Sequence, residues 1–182
     1  MILPVYTYNH PVLKQRTALI DDMSDELRDL IRDMFETMYT ANGIGLAANQ
    51  VGKGLSLTVI DISDRDEGED PGQIVMINPV IEAFSDDEEE FEEGCLSLPD
   101  YRDTVVRPSA IQVRYLDASM TERVMEADGL VARVMQHEID HLNGIYFFER
   151  LSPIRRTLGN GKLKKISRGQ FDADYPTFPP SE

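Results

Sequence analysis

The chain has 182 residues, 41% of them hydrophobic and 28% charged, which is enough for one globular core without covalent staples. Its single cysteine excludes intrachain disulfides, and a formal net charge of −15 argues against nucleic acid as a general or sequence-specific partner. No run of eighteen apolar residues reads as a membrane span and the first residues do not read as a secretory signal, so no membrane partner and a reducing cytoplasm are expected.

In chain order, the first strong helix is predicted over residues 24–41. Leu27, Leu30, Ile31, Met34, Phe35, Met38 and Tyr39 form one apolar stripe; Ser24 suits its cap, Asp25 and Glu26 its positive end, and Gly43 its termination. Residues 43–50 (GIGLAANQ) permit close backbone approach but lack the lysine and spacing of a phosphate loop. Within them, Gln50 reads as either an exposed polar residue or a placed amide donor.

Strands are predicted at 56–62, 73–77 and 111–116, with a polar loop at 64–72. Residues 86–93 carry seven acids in eight positions and read as a solvated face. A second helix is predicted to begin near Asp128 and to end before Gly144. Val131, Met135, Ile139 and Leu142 mark one face of it, and Val134, His137, Glu138 and His141 another.

From residue 150 to 171 there are seven bases and no acid, which leaves the rest of the chain with eleven bases against thirty-three acids, or −22. Gly159, Gly161 and Gly169 weaken a long helix there, and Pro176, Pro179 and Pro180 argue for an irregular C-terminus. Residues 1–156 read as one domain and 157–182 as a basic tail containing glycine and proline. Helix, several strands, then helix predicts an α+β fold rather than a βαβ series.

His137-Glu138-Ile139-Asp140-His141 is an H-E-x-x-H on a helix. Two imidazoles at i, i+4 can bind one ion, and the glutamate beside the first can serve as a general base. Two histidines leave a tetrahedral ion short of a third protein ligand, and the sole thiol, Cys95, is the obvious candidate. His10 could close the set as a fourth ligand, although nothing in its context supports that. Two other readings remain open: an H-E-x-x-H zinc endopeptidase, for which Glu149 is the only near downstream acid, and a non-catalytic, ribosome-associated metal-binding module.

GIGLAANQ at 43–50, EGCLS at 93–97 and QHEIDHLNG at 136–144 together resemble peptide deformylase, in that family's motif order, with the likeness fading after about Arg156. The resemblance implies antiparallel strands around a central metal-binding helix. It also implies a metal held by Cys95, His137 and His141 with water at the fourth position. The usual ion of the family is ferrous iron, with Zn(2+), Ni(2+) or Co(2+) able to substitute. The implied reaction removes the formyl group from N-formylmethionyl nascent peptides and releases formate. In it Glu138 is the base, and Gln50 and the Leu96 N–H are the oxyanion donors. Ile44, Gly45, Phe91, Leu130 and Val134 would bind the substrate, with Gly45 leaving room for its backbone. Arg102 and Asp140 would orient the ligands, and the basic tail would dock on the ribosome.

Overall fold

The computed structural model describes residues 1–63 and 71–179. Most of the predicted polar loop, and Pro180, lie outside the described residues. The first helix, α1 (Asp25–Thr40), starts where its cap predicts: the Ser24 side chain accepts from the Leu27 N–H at 3.1 Å. It stops sooner than Gly43. Ala41 caps it, and Asn42 takes the left-handed φ of 54° that a glycine would otherwise supply. Met34 and Met38 are wholly buried beneath it.

The main sheet is antiparallel throughout. Its strands are β2 (Gly45–Ala47), β3 (Leu57–Ile60), β4 (Ile74–Phe84), β7 (Ala110–Leu116) and β8 (Glu122–Asp128), in that spatial order. A separate hairpin pairs β5 (Glu88–Cys95) with β6 (Leu98–Pro108). The acidic run is therefore mostly β5. Glu88, Glu89, Glu90 and Glu92 face solvent as expected, but Glu93 is buried.

The second helix, α2 (Gly129–Leu142), is buried without interruption from Ala132 to Leu142. The sequence predicts one apolar face and a second face bearing Val134, His137, Glu138 and His141, and both are buried. β2, β3 and β8 pack on α2 and the β5–β6 hairpin supplies polar partners to its other side, so its charged face is internal. One core lies between α1 and β2–β4, and a second between the sheet and α2. A third, rich in aromatics, gathers Tyr101, Tyr146, Phe147 and Phe148 beneath the hairpin.

The C-terminal region differs most from expectation. A third helix, α3 (Pro153–Ile166), runs through Gly159 and Gly161, started by the Ser152 cap and by Pro153 in its first turn. It buries Leu163 and Ile166 in the aromatic core, which outweighs its poor intrinsic propensity. Gly159 is a spacer, since a Cβ there would overlap the Tyr101 hydroxyl. Gly161 faces open space. Beyond α3, β9 (Thr177–Phe178) pairs in parallel with β1 (Val5–Tyr6), and the Phe178 ring stacks on Tyr6 at 4.6 Å.

The two glycines should therefore answer oppositely to alanine. Gly161→Ala is expected to raise the unfolding free energy by about 1 kcal/mol through helix propensity. Gly159→Ala is expected to lower it by about 1–3 kcal/mol through overpacking on Tyr101. Urea titration of the two variants checks both signs. Among the described residues, no helix is long and apolar enough to cross a membrane.

Candidate metal centre

His137 and His141 stand one turn apart on α2, with their Nε2 atoms 3.2 Å apart. Cys95, at the end of β5, brings its Sγ to 3.2 Å from His141 Nε2, and the three donor atoms all lie within 4.8 Å of one another. Bonds of the usual length from nitrogen and sulfur to a tetrahedral ion would place such donors about 3.3–3.6 Å apart. One thiol and two imidazoles converging at this spacing fit a single divalent ion.

The first imidazole is oriented from behind. Its Nδ1 lies 2.9 Å from Glu93 Oε2, so an N–H donated there leaves the Nε2 lone pair facing inward. Glu93 is held in turn by Arg107, through Nε at 2.6 Å and Nη2 at 3.0 Å, and by Arg133 Nη1 at 3.0 Å. Arg107 also donates to Asp140 at 2.7 Å, and Arg150 closes the chain on Asp140 at 2.6 Å. Burial works against an ionised Glu93, but the hydrogen bonds from His137 and Arg107 outweigh it and hold the carboxyl well below the usual range. His141 is anchored through its backbone, where Asn49 Nδ2 donates to its carbonyl at 2.6 Å.

In the metal-free protein the imidazoles separate. Burial lowers both, but hydrogen bonds to Cys95 and Glu93 overcome it at His137 and raise that ring well above its usual value. His141 is driven down by burial and by its charged neighbour.

Glu138 is fully enclosed beside these groups. Burial pushes its carboxyl up to about 7, and its Oε2 has no hydrogen-bond partner. A Cβ on Gly45 would come within 2.5 Å of Glu138 Oε1 and 2.8 Å of Val134 Cγ1. The missing side chain at Gly45 thus makes room for the glutamate, a reason different from the substrate approach that the sequence suggested. Gln50 proves to be a placed amide. Its Oε1 accepts from Ala47 N–H at 2.8 Å, and its Nε2 donates to Ser97 Oγ at 3.2 Å and lies 3.5 Å from Cys95 Sγ.

A cleft of about 550 Å³ opens onto the donors, and Ile44, Gly45, Phe91, Leu130 and Val134 line it together with Gln50 and Leu96. Asp140 is buried and reaches His137 only by way of Arg107 and Glu93. Arg102 is exposed at the mouth of the cleft and bonds Glu92 at 2.8 Å. The buried guanidiniums that hold Glu93 are Arg107 and Arg133. His10 caps the turn at Pro11–Lys14, and Glu149 pairs with Lys14 at 2.6 Å, so neither joins the donor set.

The sequence reading missed Glu93, Arg107, Arg133 and Tyr175. A signal for the first existed. Phe91 is the only apolar residue of the acidic run, and Glu93 follows two places later, on the same face of a strand.

A model of the family described as polypeptide deformylase matches residues 2–157. The chain belongs to this family. It is 43% identical over 183 residues to the peptide deformylase of Salinibacter ruber, covering 97% of this chain and 94% of that one. It is 48% identical over 164 residues to the peptide deformylase of Syntrophobacter fumaroxidans, covering 90% and 95%. Among solved structures it is similar to the crystal structure of a peptide deformylase from Legionella pneumophila, with a TM-score of 0.83 and 41% identity over 93% of this chain and 98% of that one. The α+β fold expected from sequence is thus the fold of the family. Its members are metal-dependent hydrolases, in keeping with the Cys95, His137 and His141 cluster.

Proposed function

We infer that the chain hydrolyses the N-terminal formyl group of formyl-methionyl nascent peptides, with one divalent ion held by Cys95, His137 and His141. The observation that carries this reading is the unpartnered, buried Glu138 carboxylate beside three converging donors. When bound, the ion supplies Lewis-acid polarisation of the formyl oxygen and a water acidic enough to attack near neutral pH.

The remaining work belongs to the chain. Among the described residues β2 pairs with β3 on one side only; Gln50 takes the Ala47 N–H, and the rest of the outer edge could bind an extended peptide by main-chain hydrogen bonds. Ile44, Leu130 and Val134 offer an apolar wall for the methionine side chain, and Phe91 closes it with Arg133 stacked on its ring at 5.2 Å. Glu138 takes a proton from the attacking water as its oxygen bonds to the formyl carbon. It then delivers the proton to the departing amine, so that formate and a free N-terminus leave. Gln50 Nε2 donates to Ser97 Oγ and to Cys95 Sγ; in the reaction the hydrogen on the sulfur would turn to the oxygen that gains negative charge, together with the Leu96 N–H.

We propose ferrous iron as the working ion, the usual one of the family; a thiolate with two imidazoles accepts it and also zinc, nickel or cobalt, and affinity order does not single it out. A site that depends on a free thiolate suits a reducing compartment such as the cytoplasm. Residues 1–156 carry the chemistry in this reading, and the exposed bases Arg156, Lys164, Lys165 and Arg168 of the C-terminal segment form a surface able to contact ribosomal phosphate.

The test is formate release from a formyl-methionyl tripeptide, without oxygen and with ferrous iron supplied, against protein stripped of metal. Wild type should turn over only with metal, and Cys95→Ala should neither retain the ion nor release formate. Turnover in the stripped protein, or in Cys95→Ala, would sink the reading.

A further inference from the structure

Tyr175 lies beyond residue 157, where the family match ends, yet its side chain forms part of the wall of the cleft. Its hydroxyl donates to the Leu96 carbonyl at 2.8 Å. Burial, with Cys95 and Asp100 nearby, keeps that hydroxyl protonated far above neutral pH, so it remains a donor.

Leu96 and Ser97 form the tight turn between β5 and β6, directly after Cys95. Three bonds from outside the hairpin hold this turn. Tyr8 N–H donates to the Ser97 carbonyl at 2.8 Å, Gln50 Nε2 donates to Ser97 Oγ at 3.2 Å, and Tyr175 holds Leu96. Of these, only the Tyr175 bond falls on Leu96 itself.

Tyr175 is in turn fixed from the next residues. The Pro176 carbonyl accepts from Val5 N–H at 2.9 Å, and the Phe178 carbonyl accepts from Thr7 N–H at 3.1 Å. Pro176 also confines Tyr175 to extended backbone. The strap formed by β9 therefore sets where the phenol stands.

We propose that Tyr175 is a positioning residue for deformylation: its hydroxyl, held in place by β9, fixes the Leu96 carbonyl and with it the aim of the Leu96 N–H into the cleft. The proposal rests on the role given above to that N–H. The Leu96 carbonyl shares its peptide plane with the Ser97 N–H, so the phenol acts on the Leu96 N–H across the Leu96 Cα, by restraining ψ in a turn already held at Ser97; a donor displaced by a fraction of an ångström stabilises the developing charge less. The phenol acts through Leu96, so its loss falls on kcat and leaves KM nearly unchanged.

The test uses the full chain loaded with metal, and reads both turnover and amide hydrogen exchange. Tyr175→Phe keeps the ring and removes one oxygen. It should lower kcat about five-fold with KM held within about two-fold. Exchange at residues 96–98 should quicken by about ten-fold while β3 and β4 stay as in wild type. Phe178→Ala leaves the hydroxyl but frees the strap. It should lower kcat to a similar extent, and the double variant should be no worse than either alone. Wild-type exchange at 96–98 in Tyr175→Phe overturns the proposal, whatever happens to kcat, and so does a loss that appears in KM alone. If the wild type itself released no formate, the functional reading would fall and the proposal with it. If the wild type is active and Tyr175→Phe matches it, the proposal alone falls.

Discussion

Replacing Glu138 by glutamine should leave one metal ion per chain and lower kcat about a thousand-fold. Two observations separate those effects. The donors that converge are Cys95, His137 and His141, so loss of the Glu138 charge removes no ligand. Glutamine also keeps the volume that fills the gap left by Gly45, where even a methyl group would come within 2.5 Å of Glu138 Oε1. What disappears is the acceptor for the proton of water. Metal analysis and formate release, run on the same preparation, check the prediction. A variant that keeps its ion and works within ten-fold of wild type would mean that the proton goes elsewhere.

The second large effect is expected at Glu93. Glutamine there keeps one carbonyl oxygen, but it turns an amide donor toward two groups that themselves donate, Arg107 with either Arg133 or His137. Arg107 would keep Asp140, whereas Arg133 would be left with the backbone carbonyls of Val105 and Glu89. Removing one member of such a buried pair costs about 3–5 kcal/mol of folding stability. The His137 ring loses the acceptor that fixes its tautomer, and metal affinity should fall about 10–100-fold. Urea unfolding of the metal-free protein measures the first effect, and competition with a chelator the second. Because the folded Glu93 carboxyl lies below its ordinary value, its contribution is complete above about pH 5 and is lost as pH falls through the ordinary carboxylate range toward the folded value. Glu93→Gln should accordingly differ most from wild type near neutrality and least in acid.

The parts of this architecture legible in the sequence are those where one local pattern decides the outcome. The α1 stripe and its Ser24 cap, and α2 between Asp128 and Asn143, follow from spacing alone. The H-E-x-x-H motif likewise announces two ligands, because one helix turn separates them. The hairpin strands β5 and β6 were not legible. Charged residues line both, and β5 alternates around a single phenylalanine. Arg107 and Arg133 read as surface bases, since nothing local tells a buried guanidinium from a solvated one. Their partners come from 14 and 40 residues away in the chain. The same holds for α3, which depends on contacts of Leu163 and Ile166 with distant aromatics rather than on its own composition.

Two of the three donors ride on a helix that is buried from Ala132 to Leu142, and the third sits at the base of a hairpin pinned from several sides. The fold thus brings three donors together at a spacing that suits one divalent ion. A receptor so prepared exerts little choice by shape among ions of similar radius. Its occupant in any preparation will follow the supply of metals during growth and handling, and activity will record that history as much as the polypeptide.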